Sequence, residues 1–157
     1  SGEEPYTLMM LMMEHFGNAL KQWNPMLLAT DISATALKTA MAGVYPADKV
    51  EQLPVALRNK YFNKKPGGSM DVKDEVRKRI FFRRHNLMDN TFPFKKPFDT
   101  VFCRNVMIYF DRETRNTLVA KYHKHTMPGG YLFIGHSETL GRDDTPYNYV
   151  MPAVYKK

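Results

Sequence analysis

Short apolar runs, each closed by a polar residue, organise this chain. Residues 25–31 pass through Met26, Leu27 and Leu28 to Asp31. Residues 79–85 carry Ile80, Phe81 and Phe82 and lead into Asn86. Residues 98–103 hold Val101, Phe102 and Cys103 and lead into Arg104 and Asn105. Residues 131–135 stop before His136. Runs of this length, rich in aromatic and β-branched residues, predict buried strands. Helical stretches stand between them: Ser33 can cap a helix over 34–42 with Gly43 as its stop, and Asp111 opens another reaching about Thr126, with Leu118 and Tyr122 on one face. Strand, loop and helix in that rotation predict an α/β fold. The last strand, over 149–155, follows a short loop and is expected to be antiparallel.

Residues 5–16 have helical spacing, with Leu8, Leu11, Met12 and Phe16 on a stripe and Met9 and Met13 beside it. Pro5 suits the first turn, and Glu3 and Glu4 sit at the positive end of the helix dipole. The methionines read as core. Between about 45 and 78 the rhythm breaks: helix over parts of 48–62, a turn at Lys65-Pro66-Gly67-Gly68-Ser69, and a short strand over 70–72. Pro128-Gly129-Gly130 is expected to turn.

Composition narrows the class. At 157 residues and 43% hydrophobic, the chain can bury one real core. Cys103 is the single cysteine, which excludes a disulfide framework and a cysteine-built zinc site and suits a reducing cytoplasm. No apolar run approaches the roughly 20 residues of a membrane span, so membrane insertion is not expected. The acidic start, Gly2-Glu3-Glu4, does not fit the basic region of a secretory signal. The formal net charge of +7 is local: twelve Lys and Arg lie between Arg58 and Lys96, against Asp71, Asp74, Glu75 and Asp89. Such a patch reads either as a solvated face or as a docking surface for an acidic partner. Nucleic acid is one such partner, but no zinc finger, helix-turn-helix or RNA-stacking motif supports it. No metal site is expected, because His123 and His125, two apart on a helix, point to different faces.

Chemistry gathers at the strand ends, where open α/β sheets bind ligands. Asp31 can accept hydrogen bonds from both hydroxyls of a ribose; taken alone it reads equally as a helix cap. Asn86, and Arg104 with Asn105, end two further strands, and each Asn offers a donor and an acceptor to an adenine edge or an amino-acid moiety. Tyr109 can orient a substrate oxygen, or simply pack before the Asp111 cap. His136-Ser137-Glu138 can cap or line a pocket, and no G-x-S-x-G elbow marks a hydrolase.

Gly2-Glu3-Glu4-Pro5-Tyr6, Ala29-Thr30-Asp31-Ile32-Ser33, His85-Asn86-Leu87, Gly135-His136-Ser137-Glu138 and above all the run from Phe102-Cys103-Arg104-Asn105-Val106 through Tyr109-Phe110-Asp111 resemble the chemotaxis receptor methyltransferase family, CheR. The resemblance implies a Rossmann-like class I methyltransferase fold: a mostly parallel sheet with an antiparallel last strand and a small inserted β-subdomain, here the basic excursion at about 45–78. It implies one catalytic domain over residues 1–157, binding S-adenosyl-L-methionine, releasing S-adenosyl-L-homocysteine, and methylating glutamates on the cytoplasmic helices of methyl-accepting chemotaxis receptors. By position, Glu3 resembles the acidic contact of the first cofactor motif and Asp31 the ribose-binding acid. Asn86, Leu87, Arg104 and Asn105 resemble cofactor-contacting loops, and Tyr109 resembles the tyrosine near the transferred methyl.

In the family a buried strand and a helical subdomain precede the first motif, so the resemblance implies that the first strand is missing from this chain and that open strand edges invite self-association. The short turn at 64–69 points to a member that does not use a receptor tether. A non-catalytic cofactor- or receptor-binding module of the same fold is the alternative.

Overall fold

The computed structural model describes residues 1–141 and 145–157. The chain divides into two compact units, Ser1–Asn86 and Leu87–Lys157.

The first unit opens with α1 (Glu3–Phe16), a 3-10 turn and α2 (Leu20–Trp23). Then β1 (Leu27–Asp31) leads into α3 (Ala34–Ala42), capped by the Ser33 hydroxyl, which accepts from the Ala36 N–H, and ended by left-handed Gly43. The excursion follows: β2 (Val44–Pro46), α4 (Ala47–Val50), α5 (Val55–Tyr61), β3 (Phe62–Lys64), β4 (Ser69–Val72) and α6 (Asp74–Arg77). Its three strands form an antiparallel sheet in the order β2-β4-β3, the inserted subdomain expected from the resemblance. The chain returns as β5 (Ile80–Arg84), parallel to β1 with Leu27 opposite Ile80 and Asp31 opposite Arg84.

The buried face of α1 is Tyr6, Met9, Met10 and Met13, not the Leu8–Leu11–Met12–Phe16 stripe; Leu11 is 54% exposed. Apolar residues run unbroken from Leu8 to Met13, so spacing alone does not select a face. Tertiary contacts do: the Tyr6 hydroxyl donates to the Ala40 carbonyl at 2.7 Å and fixes the helix rotation.

The second unit carries β6 (Phe98–Cys103), a 3-10 turn (Met107–Tyr109), α7 (Arg112–His125), β7 (Thr126–Ile134), β8 (Asn148–Met151) and β9 (Val154–Lys156). The Asp111 carboxylate caps α7 by accepting from the Thr114 N–H at 2.8 Å. The sheet order is β6-β7-β9-β8, with β6 parallel to β7 and the other pairs antiparallel. Two details differ from expectation. The turn at 128–130 lies inside β7, absorbed by a register shift opposite β6 and by hydrogen bonds to Lys157. The last strand is a hairpin, because Ala153 takes φ +64 and folds β9 back on β8.

Among the described residues β1 has β5 as its one ladder partner and β6 has β7, so each presents one unpaired edge.

Candidate functional site

In the first unit, Gly2 sets the start of α1. Its φ is +98, and a Cβ there would meet the Tyr45 hydroxyl at 2.6 Å and the Ala40 Cβ at 2.8 Å, so only glycine fits. Glu3 follows. Its carboxylate accepts from the Ser1 hydroxyl at 2.8 Å and from Lys49 Nζ of α4 at 3.1 Å. Partial burial pushes its pKa up, but hydrogen bonds from its own backbone, Ser1 and Lys49 outweigh this and bring it down to about 2. The Glu3 side chain therefore ties α1 to α4.

Asp31 ends β1 on a built turn. Its Oδ1 accepts from the Ser33 N–H at 2.8 Å, and its carbonyl accepts from the His85 N–H at 3.1 Å. The next carbonyl, Ile32, accepts from Arg84 Nε at 3.2 Å. Ser33, not Asp31, caps α3. Oδ2 of Asp31 meets no donor among the described residues. The carboxylate is thus oriented by one oxygen and free to accept through the other. Asn86 is half-buried just beyond β5, at the end of this unit. A groove lined by Met13, Leu20, Met26, Glu75, Lys78 and Arg79 lies at the opposite, amino ends of β1 and β5. Open α/β sheets bind ligands at the carboxyl ends, so the groove is no part of the site.

Part of the basic segment is spent internally. Arg77 and Lys65 pair with Asp71 at 3.1 and 3.4 Å, and Lys60 pairs with Glu14 at 2.6 Å. Lys73 donates to the carbonyls of Asn59 and Lys60, and Arg79 to Asn24. These five of the twelve cations of this segment thus fasten the first unit.

In the second unit, Leu87 packs half-buried against the core. Lys121 of α7 holds the loop that follows, donating to the carbonyl of Leu87 at 3.4 Å and of Asp89 at 2.6 Å, with its ammonium 5.7 Å from the Phe92 ring centre. Arg104 and Asn105 leave β6 exposed, and Asn105 adopts left-handed φ +57. Met107 is buried, while Tyr109, two residues on, is 80% exposed. Arg104, Asn105 and Tyr109 therefore share one loop, and all three are exposed.

That loop rests on Glu138. Oε2 of this buried carboxylate accepts from the N–H groups of Gly135 (2.6 Å) and Asn105 (3.0 Å), and Oε1 accepts from the Ile108 N–H (3.2 Å). The sequence marks Glu138 within His136-Ser137-Glu138 as a capping or pocket-lining group, without its role under this loop; Lys121 it does not mark. The signal for Glu138 was its place three residues after a strand-ending glycine, a spacing that returns a side chain onto the strand end.

Among the described residues no cluster of His, Cys, Asp or Glu could hold a metal ion, and no helix is long and apolar enough to cross a membrane.

Comparison with known proteins bears on the whole chain. The family described as "CheR methyltransferase, SAM binding domain" matches residues 1–155, so the chain belongs to that family of S-adenosylmethionine-binding domains. A chemotaxis protein methyltransferase of Borreliella burgdorferi is 46% identical over 157 residues, covering 100% of this chain and 55% of that protein. Chemotaxis protein methyltransferase 2 of Vibrio cholerae is 38% identical, covering 90% of this chain and 49% of its own length. The Escherichia coli chemotaxis protein methyltransferase is 32% identical, covering 99% and 54%. The chain spans about half the length of the relatives it matches.

Proposed function

We propose that this chain is the cofactor-binding and catalytic part of a protein-glutamate O-methyltransferase acting on the cytoplasmic helices of chemoreceptors. The observation that carries the reading is the family match over residues 1–155. The strand-end groups fit the cofactor. Asp31 is pre-oriented through Oδ1 with Oδ2 left to accept, which suits a ribose diol. Asn105 and Arg104 stand exposed beyond β6, with donors and an acceptor for the amino-acid moiety or the base. Glu3, held by Lys49, and Asn86 and Leu87, at the ends of their units, complete the proposed cofactor set.

The cofactor, when bound, supplies an already activated methyl group on a sulfonium. The protein's task is then modest. A glutamate acceptor, with a reference pKa of about 4.3, is ionised at neutral pH, so no general base is required. Tyr109, exposed at the rim of its loop, orients the acceptor oxygen through its hydroxyl. Alignment and exclusion of water supply the catalysis. Glutamate-rich receptor helices are acidic, and cations of the 58–96 segment not tied up internally are their proposed counter-charge. The cytoplasm, where such receptor helices lie, is the proposed location.

Calorimetry with S-adenosylhomocysteine, and transfer of labelled methyl to receptor cytoplasmic fragments, test the reading. Binding with transfer is expected. Binding without transfer to any receptor fragment supports the alternative of a non-catalytic module, and absence of both sinks the reading. Asp31→Ala is expected to weaken cofactor binding about tenfold or more, the scale of a lost hydrogen bond to a charged group; unchanged affinity would leave Asp31 as a turn-former only.

A further inference from the structure

We infer that Glu138 is the positioning residue for the loop that carries Arg104, Asn105 and Tyr109: one buried carboxylate sets the backbone on which the exposed side chains stand. The inference rests on the methyltransferase reading and adds to it a residue that touches neither cofactor nor substrate.

Four observations converge. First, Glu138 is 8% exposed, and among the described residues no cation lies within ion-pair distance of it. A buried carboxylate needs compensation, and here it comes from three peptide N–H groups at residues 105, 108 and 135. Second, Asn105 turns the chain out of β6 with left-handed φ +57, a conformation that asparagine adopts at low cost. The Asn105 N–H is one of the three donors. Third, Gly135 leaves no room for a side chain: a Cβ would fall onto Asn105 Oδ1 and lie 2.7 Å from Glu138 Oε2. The end of β7, the carboxylate and the start of the loop are thus in close contact. Fourth, the 107–109 turn has little packing of its own. Ile108 is 52% and Tyr109 80% exposed, and Met107, 1% exposed, is the one side chain of the 107–109 turn fixed in the core.

Met107 and Glu138 both anchor the loop. Met107 sets its depth, and Glu138 sets its rotation by fixing the peptide planes at Asn105 and Ile108. Release of the second anchor frees the peptide planes at Asn105 and Ile108 and swings the exposed Tyr109 while the core stays intact.

The test uses Glu138→Gln, which keeps size and shape but replaces one accepting oxygen with an NH2 group that cannot face an N–H donor. Gly135→Ala attacks the same contact from the strand side and guards against a defect peculiar to residue 138. Three quantities are read in the full chain: amide hydrogen exchange at Asn105 and Ile108, affinity for S-adenosylhomocysteine, and kcat and KM for methyl transfer per folded molecule. Faster exchange at these amides is expected, with kcat reduced about ten- to a hundredfold, the cost of an ångström-scale misplacement. Glu138→Asp, which keeps both oxygens, is expected to recover part of the loss. A merely structural role would lower the unfolding temperature and leave kcat and cofactor affinity per folded molecule unchanged; that result overturns the inference. Unchanged exchange at Asn105 and Ile108 overturns it as well. If wild-type protein neither binds the cofactor nor transfers methyl, the functional reading falls and takes the catalytic part of this inference with it. The exchange data separate that failure from failure of the clamp.

Discussion

The two units fasten themselves with a different balance of polar ties. In Ser1–Asn86 the long-range polar ties include ion pairs at the surface, Glu3 with Lys49 and Glu14 with Lys60, beside the half-buried Asp71 with Lys65 and Arg77 and the buried bond from Tyr6 to the Ala40 carbonyl. In Leu87–Lys157 several of the ties are inside, beside exposed ones such as Lys121 to the Asp89 carbonyl. Glu138 holds three peptide N–H groups, the Tyr122 hydroxyl donates to Cys103 Sγ at 3.1 Å, and Thr126 bonds both the Tyr122 carbonyl and the Tyr147 hydroxyl. Exposed pairs are worth about 0–1 kcal/mol and fade with salt. A buried polar group left without its partner costs about 1–3 kcal/mol. Polar substitutions are therefore expected to hurt the second unit more than the first, although both have proper cores.

The largest effects test that last clause. Met9 and Leu132 are both 0% exposed, one in each core. Met9→Ala and Leu132→Ala are each expected to cost about 2–5 kcal/mol in denaturant unfolding. Similar costs would confine the difference between units to their polar ties, whereas a much smaller cost for Leu132→Ala would mean that the second core is loosely packed.

A matched pair of hydroxyl deletions comes next. Tyr122→Phe removes a buried bond to Cys103, and burial, together with the nearby thiol, drives the Tyr122 pKa well above its ordinary value. Tyr61→Phe removes a bond to the carboxylate of Glu14, an exposed residue. Tyr122→Phe is expected to cost about 0.5–1.5 kcal/mol, and Tyr61→Phe measurably less. The reverse order would break the comparison.

The same contrast explains how much could be read beforehand. Strands, the Ser33 and Asp111 caps and the left-handed stop at Gly43 were legible because each is local: a few adjacent residues decide it. The rotation of α1 was not, because six consecutive apolar residues offer every face and a hydroxyl from Tyr6 to the distant Ala40 chooses one. The hairpin at Ala153 was hidden because an alanine with φ +64 has no sequence mark. At the site, Asp31, Arg104, Asn105 and Tyr109 stood out by type and by position after a strand. Lys121, and the hold of Glu138 on the 105–108 backbone, did not, since those partners are backbone atoms 30 or more residues away, and a backbone partner leaves no trace in side-chain chemistry.

The smallest expected effect is the most diagnostic of the surface fastening. Hydrogen bonds from its backbone, Ser1 and Lys49 overcome the upward push of burial and hold Glu3 at about 2. Its folded pKa thus lies below the unfolded value of about 4.3. A group depressed in the folded state binds fewer protons there, so its stabilisation is fully present above the unfolded pKa and is lost as pH falls through the window from about 4.3 to about 2. Nearly half of the Glu3 side chain is exposed, so solvent screening keeps the effect below about 1 kcal/mol. Denaturant unfolding of wild type and Glu3→Gln should therefore differ slightly at pH 7, converge as pH falls towards 2, and converge again at neutral pH in molar salt. The Glu138→Gln deficit should persist in that salt, because a buried carboxylate held by peptide N–H groups is poorly screened. A Glu3 difference that survives both acid and salt would show a packing role in place of an ion pair, and the contrast between the two units would fail at its simplest point.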